Sequence, residues 1–257
     1  MLYIITVYAL SLGSLISALS YRIPRKEDIF LKPSQCPKCK NNLKAIDLIP
    51  VFSWLFNKGA CRFCKNKISI RYPLIEITTC VLVMLPYFIT KDYQLTFILS
   101  VLTVLLITIS VIDFEHYIIP DRLQISLLIY AIFWMFYFSY DINYSLISFI
   151  LGFAISFSLM VGFKYIRNKD GLGFGDVKFI AIISIILGFD NFALFFLFAG
   201  IFGVINGLLW RSLFNKKLFP FAPSLCLSLF LCLILVLLFD MNFFSGFNIT
   251  LLTNFYL

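Results

Sequence analysis

Residues Leu102–Asp121 read LTVLLITISVIDFEHYIIPD. The stretch opens on an uncharged run that begins upstream at Leu95 and continues to Ile112, and it then meets an acid, Asp113. A bilayer needs roughly 17 to 25 mostly apolar residues from a spanning helix. Leu95–Ile112 meets that requirement, and the chain repeats the pattern. Seven further runs are spaced along it: Leu2–Leu19, Leu74–Thr90, Leu123–Ser139, Tyr144–Phe163, Val177–Gly188, Phe192–Trp210 and Ala222–Phe239. With 61% hydrophobic residues, 13% charged residues and a mean hydropathy of +0.96, most of the chain cannot be the surface of a water-soluble globule. The expected fold is therefore an all-α polytopic membrane protein of about eight spans. The first run lacks a preceding charge and a small-residue cleavage site before Arg22, so it reads as a retained span rather than a signal peptide.

The formal charge of +8 does not point to nucleic acid, because it is concentrated. Twelve of the 21 Lys and Arg lie between Arg22 and Arg71, against Glu27, Asp28 and Asp47, so that loop carries about +9 and the rest of the chain about −1. In an eight-span arrangement Arg122, Lys164, Arg167, Lys169, Lys178, Arg211, Lys216 and Lys217 fall on the side of this loop. Lys91 falls opposite, with Asp92, Asp141, Asp190 and Asp240. The positive-inside rule makes the loop side cytoplasmic and puts both termini outside. A loop this basic beside a bilayer also attracts anionic lipid.

The segment from 20 to 73 is the only soluble-looking part and is too small to build a core unaided. It contains CPKC, Cys36–Cys39, and CRFC, Cys61–Cys64. Two C-x2-C pairs bring four thiolates to one ion and complete a closed tetrahedral zinc site, which is structural. Two disulfides are the alternative, which a reducing cytoplasmic loop disfavours. Cys80, Cys226 and Cys232 lie inside runs and read as packing residues. No internal repeat stands out.

An ionisable residue at membrane depth is a functional hypothesis by default. Asp113 closes the third run and Asp176 opens the sixth, both at the cytoplasmic side in the charge-derived topology. Two carboxylates held close share one proton, so one can activate water while the other donates to a scissile carbonyl. Asp176 ends GLGFGD, Gly171–Asp176, whose glycines leave room for an extended substrate strand beside the acid. The bland alternative is a loop with Asp176 as a helix cap. A transporter that relays protons through the two acids is the competing class; such proteins show duplicated halves and midplane acids, and neither is evident here.

CPKC and CRFC flanking IPVFSW, then ISIRYPLIE, VIDFEHYIIPD, GLGFGDVK and PFAPSL, together with GSLISALSYRIPR near the start, form an ordered set covering nearly the whole chain. The set resembles the bacterial type IV prepilin peptidases, leader peptidases and N-methyltransferases of the G-x-G-D intramembrane aspartyl protease class. The resemblance implies Asp113 and Asp176 as the catalytic pair, Cys36, Cys39, Cys61 and Cys64 as a metal-binding cytoplasmic loop, and location in the bacterial inner membrane. It implies cleavage of prepilins or pseudopilins after the glycine that ends a short basic leader. Methylation of the new N-terminal residue, usually Phe, with S-adenosylmethionine would follow. Ala222 stands in PFAPSL where a glycine is common. The implied organisation is a first transmembrane helix over 1–20, a zinc domain tied to methyl transfer over 21–73, and a peptidase domain over 74–257.

The remaining polar residues carry weaker expectations. Glu76, just inside the second run, could pair with Arg71 or Lys178, or hold the cofactor's cationic sulfonium. Asp121 reads as a cap or a solvated acid, with Pro120 ending the turn before it. His116 reads as a bystander, and Lys178 as a residue that tunes the acids or reaches for the interface. No G-x-G-x-x-G fingerprint is present, so a Rossmann-type donor site is not expected.

Overall fold

The structure, a computed structural model, describes residues 2–29, 33–168, 171–216 and 218–239. Lys169, Lys217 and Asp240, used above in the charge pattern, lie outside the described residues. Among the described residues the protein is helical, with only isolated antiparallel bridges, Gln35 with Asn42 and Ala60 with Lys67. The α-helices are α1 (Leu2–Arg22), α2 (Phe52–Phe56), α3 (Arg71–Thr90), α4 (Tyr93–His116), α5 (Asp121–Tyr137), α6 (Ile142–Arg167), α7 (Phe174–Leu187), α8 (Phe192–Phe214) and α9 (Ala222–Phe239).

Every apolar run of the sequence is a helix, but the helices differ in what they can span. By length and composition α1, α3, α4, α6 and α8 are long and apolar enough to cross a membrane. The other three are shorter: 17 residues in α5, 14 in α7 and 18 in α9. At 1.5 Å per residue α7 is only about 21 Å long, against a hydrocarbon core of about 30 Å. Its sequence nonetheless lacks a polar face, and the packing explains why. α7 contacts α5, α6 and α9, and its residues Val177 and Phe179 to Leu187 are all buried. A helix surrounded by protein is apolar all round for the same reason as one surrounded by lipid.

The chain divides into two compact units, Met1–Ile112 and Asp113–Leu257. In the first, α1 lies along α3, with Ile16, Ile75 and Ile107 forming a buried cluster. Polar contacts across this unit include Tyr8 with Ser100 at 2.8 Å and Arg71 Nη2 donating to Ser20 Oγ at 2.8 Å. Gly13 sets how near α1 and α3 come, because a Cβ there would lie 2.5 Å from the Cα of Glu76. Small residues at helix contacts allow such approach. We expect Gly13→Val to separate the helices, cost about 1–3 kcal/mol of stability, and appear as a lower thermal midpoint in detergent. An unchanged midpoint would mean the helices do not meet there.

In the second unit α6 and α7 make the closest helix pair, with Gly152 facing Ser184, and α8 packs on α9. The chain leaves α7 through Gly188, whose φ of +72° suits glycine.

Candidate active site and metal centre

The four cysteines expected to bind metal are brought together. Their sulfur atoms all lie within 4.8 Å of one another, and Cys36 Sγ is 3.9 Å from Cys64 Sγ. A tetrahedral Zn–S distance of about 2.3 Å puts sulfurs roughly 3.8 Å apart, so the set fits such an ion, and all four are free thiols rather than disulfides. Each pair sits on a tight knuckle of the same construction. Cys36 N donates to Asn41 O at 3.0 Å and Lys40 N to Cys36 O at 2.9 Å; Cys61 N donates to Asn66 O at 2.8 Å and Lys65 N to Cys61 O at 2.9 Å. Lys40 and Lys65 take matching left-handed conformations at φ of 57° and 58°. The segments CPKCKN and CRFCKN are thus a short local repeat of six residues each, too short to be a repeated structural unit. Hydrogen bonds from Asn66, first the backbone N–H and then the side chain, pull the Cys64 thiol down to about 6, toward the thiolate a metal requires.

Glu76 is also where the sequence suggested a special role, but its partner is different. It is 8% exposed and its Oε2 accepts the backbone N–H of Val51 at 2.6 Å. Val51 has φ 62° and ψ −52°, a rare conformation for a β-branched residue. The carboxylate therefore pins a strained turn of the cysteine segment onto α3. Arg71 donates to Ser20, and Lys178 pairs with Asp121 at 2.8 Å.

The two acids singled out in the sequence lie in the second unit, each near a helix end. Asp113 belongs to the last turns of α4, is 6% exposed, and its Oδ2 accepts Ala222 N–H at 2.9 Å, at the start of α9. That N-terminus is where orphan N–H groups and the helix dipole favour an acid. Asp176 is the third residue of α7, half-buried, and its Oδ2 accepts Gly173 N–H at 3.1 Å. Asp176 is thus not the N-cap itself, which is Gly173, but supplies half of a capping box from the third helical position, glycine having no side chain to complete the other half. The glycines before it divide in two. A Cβ at Gly171 would strike the Phe163 ring, at 2.2 Å from Cδ1. A Cβ at Gly175 would make only ordinary contacts, the nearest at 3.5 Å from Ile119, and one at Gly173 would come nearest Asp176 itself, at 3.2 Å. Packing demands glycine at the first position, whereas a Cβ at Gly175 would fit in van der Waals contact.

Two supports of this site carry only a weak sequence signal. Gln124, on α5 and 3% exposed, donates from Nε2 to the carbonyl of Gly175 at 3.2 Å. It therefore holds the peptide plane that leads into Asp176. Asn206, on α8, donates to Pro220 O at 2.8 Å and fixes the strap whose next residues present N–H to Asp113. A lone Gln or Asn in an apolar run could have been noticed as costly, but nothing in the sequence says what it faces. We expect Gln124→Met to slow turnover of the G-x-G-D site about tenfold, with less change in KM, as the peptide plane loses a neutral hydrogen bond worth about 1 kcal/mol. Equal kcat values in the two proteins would show that Gln124 does not position Asp176.

His116 is exposed, as a bystander would be. Asp121 opens α5 and forms its ion pair with Lys178, so each accounts for the other. Cys226 and Cys232 are buried and Cys80 is half-buried, in keeping with packing roles.

A helical protein with long apolar helices, two acids at helix ends in one unit and a four-cysteine cluster in the other defines a narrow class. The family model described as "Bacterial Peptidase A24 N-terminal domain" matches residues 7–90, and that of the "Type IV leader peptidase family" matches residues 100–208. The chain is 32% identical to a prepilin leader peptidase/N-methyltransferase of Bacillus subtilis, over 88% of this chain and 90% of the relative. It is 31% identical to one of Aeromonas salmonicida, over 80% and 74%, and 30% identical to one of Vibrio cholerae, over 88% and 94%. The chain belongs to the type IV leader peptidase family. No solved structure matches it.

Proposed function

We propose that the protein is an inner-membrane prepilin peptidase that cleaves a short basic leader after glycine and then N-methylates the exposed residue, usually Phe. Asp113 and Asp176 are the catalytic pair in this reading. The observation that carries it is that both acids sit at helix ends of one compact unit, each oriented by a backbone N–H. Two carboxylates in one low-dielectric environment share a proton. One then takes a proton from water as it attacks the scissile carbonyl, and the other donates to the developing oxyanion. A proton relay fits less well, because neither acid lies mid-helix.

The charge pattern supports a cytoplasmic cysteine loop and external termini. Prepilins or pseudopilins would be the substrates, with lipid around the helices. The cysteine centre would hold structural Zn2+, and the segment over 21–73 would serve methyl transfer, with S-adenosylmethionine as donor and Glu76 among the groups that hold it. When bound, that cofactor supplies an electrophilic methyl group; Glu76 supplies negative charge.

The test is a synthetic prepilin with a basic leader, a glycine, then Phe and an apolar helix, incubated with purified protein and labelled S-adenosylmethionine. Cleavage after the glycine with label on the new N-terminus is the expected result. An intact peptide would sink the peptidase reading, and unlabelled product the methyltransferase one.

A further inference from the structure

Beside the G-x-G-D segment lies an ion pair whose members are both open to solvent. Asp121, in the first turn of α5, holds Lys178 Nζ on its Oδ1 at 2.8 Å, with 76% of the acid's side chain and 39% of the lysine's exposed. Lys178 stands two residues beyond Asp176 on α7. The two helix starts are already joined beneath the pair by buried Gln124, which donates to the carbonyl of Gly175. Exposed pairs contribute little to stability, so the pair is poorly explained as a second fastening. Lys178 also has another partner in reserve: its ammonium lies 5.2 Å over the Phe174 ring, within cation–π range. It can therefore leave Asp121 without losing every favourable contact. Arg122 follows Asp121 on α5, but sequence neighbours do not share a helix face.

We propose that Asp121 is a specificity residue that reads the charge of the leader: a Lys or Arg side chain of the substrate displaces Lys178 from its carboxylate while the scissile bond lies at Asp113 and Asp176. The proposal rests on the leader-peptidase reading and gives the leader's charge a partner in this chain. One lysine side chain and half a turn of α7 separate the Asp121 carboxylate from Asp176, a span that an extended strand covers in about three residues. The cation that is read therefore lies close before the cleaved bond. Because one ammonium replaces another, the number of ion pairs is conserved, and Lys178 sets a threshold that a neutral leader does not cross.

The test compares two synthetic prepilins that differ only in the leader, one with its Lys and Arg and the other with Gln in their place, cleaved by the full chain in a neutral detergent. The quantity read is the ratio of kcat/KM for the basic over the neutral leader, in which any effect on the chemistry common to both cancels. Wild type should favour the basic leader about fivefold, mainly through KM, and high salt should shrink the preference. Asp121→Asn should bring the ratio to about one, and Asp121→Glu should restore it. Lys178→Met should raise the ratio about threefold, because the carboxylate loses its competitor. A purely structural pair predicts a different pattern, in which both changes affect the two peptides alike and leave the ratio where it was. A ratio unchanged in Asp121→Asn, or unchanged or lowered in Lys178→Met, overturns the assignment. If wild type cleaves both leaders equally well, the assignment fails and the peptidase reading stands; if it cleaves neither, the peptidase reading fails and the assignment falls with it.

Discussion

Asp113→Asn and Asp176→Asn should each lower the rate of leader cleavage by about 10⁴-fold, the scale seen when one member of a cooperating catalytic set is removed. Asparagine keeps size and hydrogen bonding but cannot take up or give the shared proton. At position 113 the amide oxygen can still accept Ala222 N–H, so α4 and α9 stay joined. At position 176 the amide oxygen can still accept Gly173 N–H, and the start of α7 keeps its cap. Both variants should therefore unfold near the wild-type temperature, and the double variant should be little worse than either single one, because the pair acts as a unit. Cleavage should be followed by the mobility shift of a synthetic prepilin. A residual rate within tenfold of wild type in either variant would remove that acid from the chemistry.

Removal of metal should have the second largest effect, confined to the first unit. Outside its knuckles the described part of the segment between α1 and α3 has one short helix and a single 3₁₀ turn, and a structural zinc contributes about 10–16 kcal/mol to folding in small zinc peptides. Chelation should therefore open the segment to cleavage at its many Lys and Arg residues, and methyl transfer should fall to background as the segment loses its fold. Leader cleavage should persist, since Asp113, Asp176 and their N–H donors all belong to the other unit. Elemental analysis of the untreated protein should find one zinc per chain. Equal protease sensitivity before and after chelation would refute a structural metal.

Much of the architecture was legible in the sequence because its causes are local. A run such as Leu95–Ile112 can satisfy its backbone in an apolar medium only as a helix, so α4 follows from composition. The C-x2-C spacing likewise announces a knuckle, since two thiolates so placed converge on one ion without help from the rest of the chain. Asp113 and Asp176 stood out because charge at that depth is expensive.

The remainder depended on which residues meet. That α7 is 14 residues long and enclosed by α5, α6 and α9 is invisible in a run of apolar letters, since burial in protein and exposure to lipid select the same residues. The partner of Glu76 is a backbone N–H of Val51, 25 residues away, and backbone donors leave no mark on side-chain identity. The same holds for Ala222 N–H on Asp113 and for Gln124 on the carbonyl of Gly175. The sequence by itself determined the helices, the metal knuckles and the acids, each a cost or gain settled within a few residues. Only the tertiary structure decided how the acids are held and why Gly171 and Gly175 differ, because those depend on long-range approach of groups whose partners could be any amide in the chain.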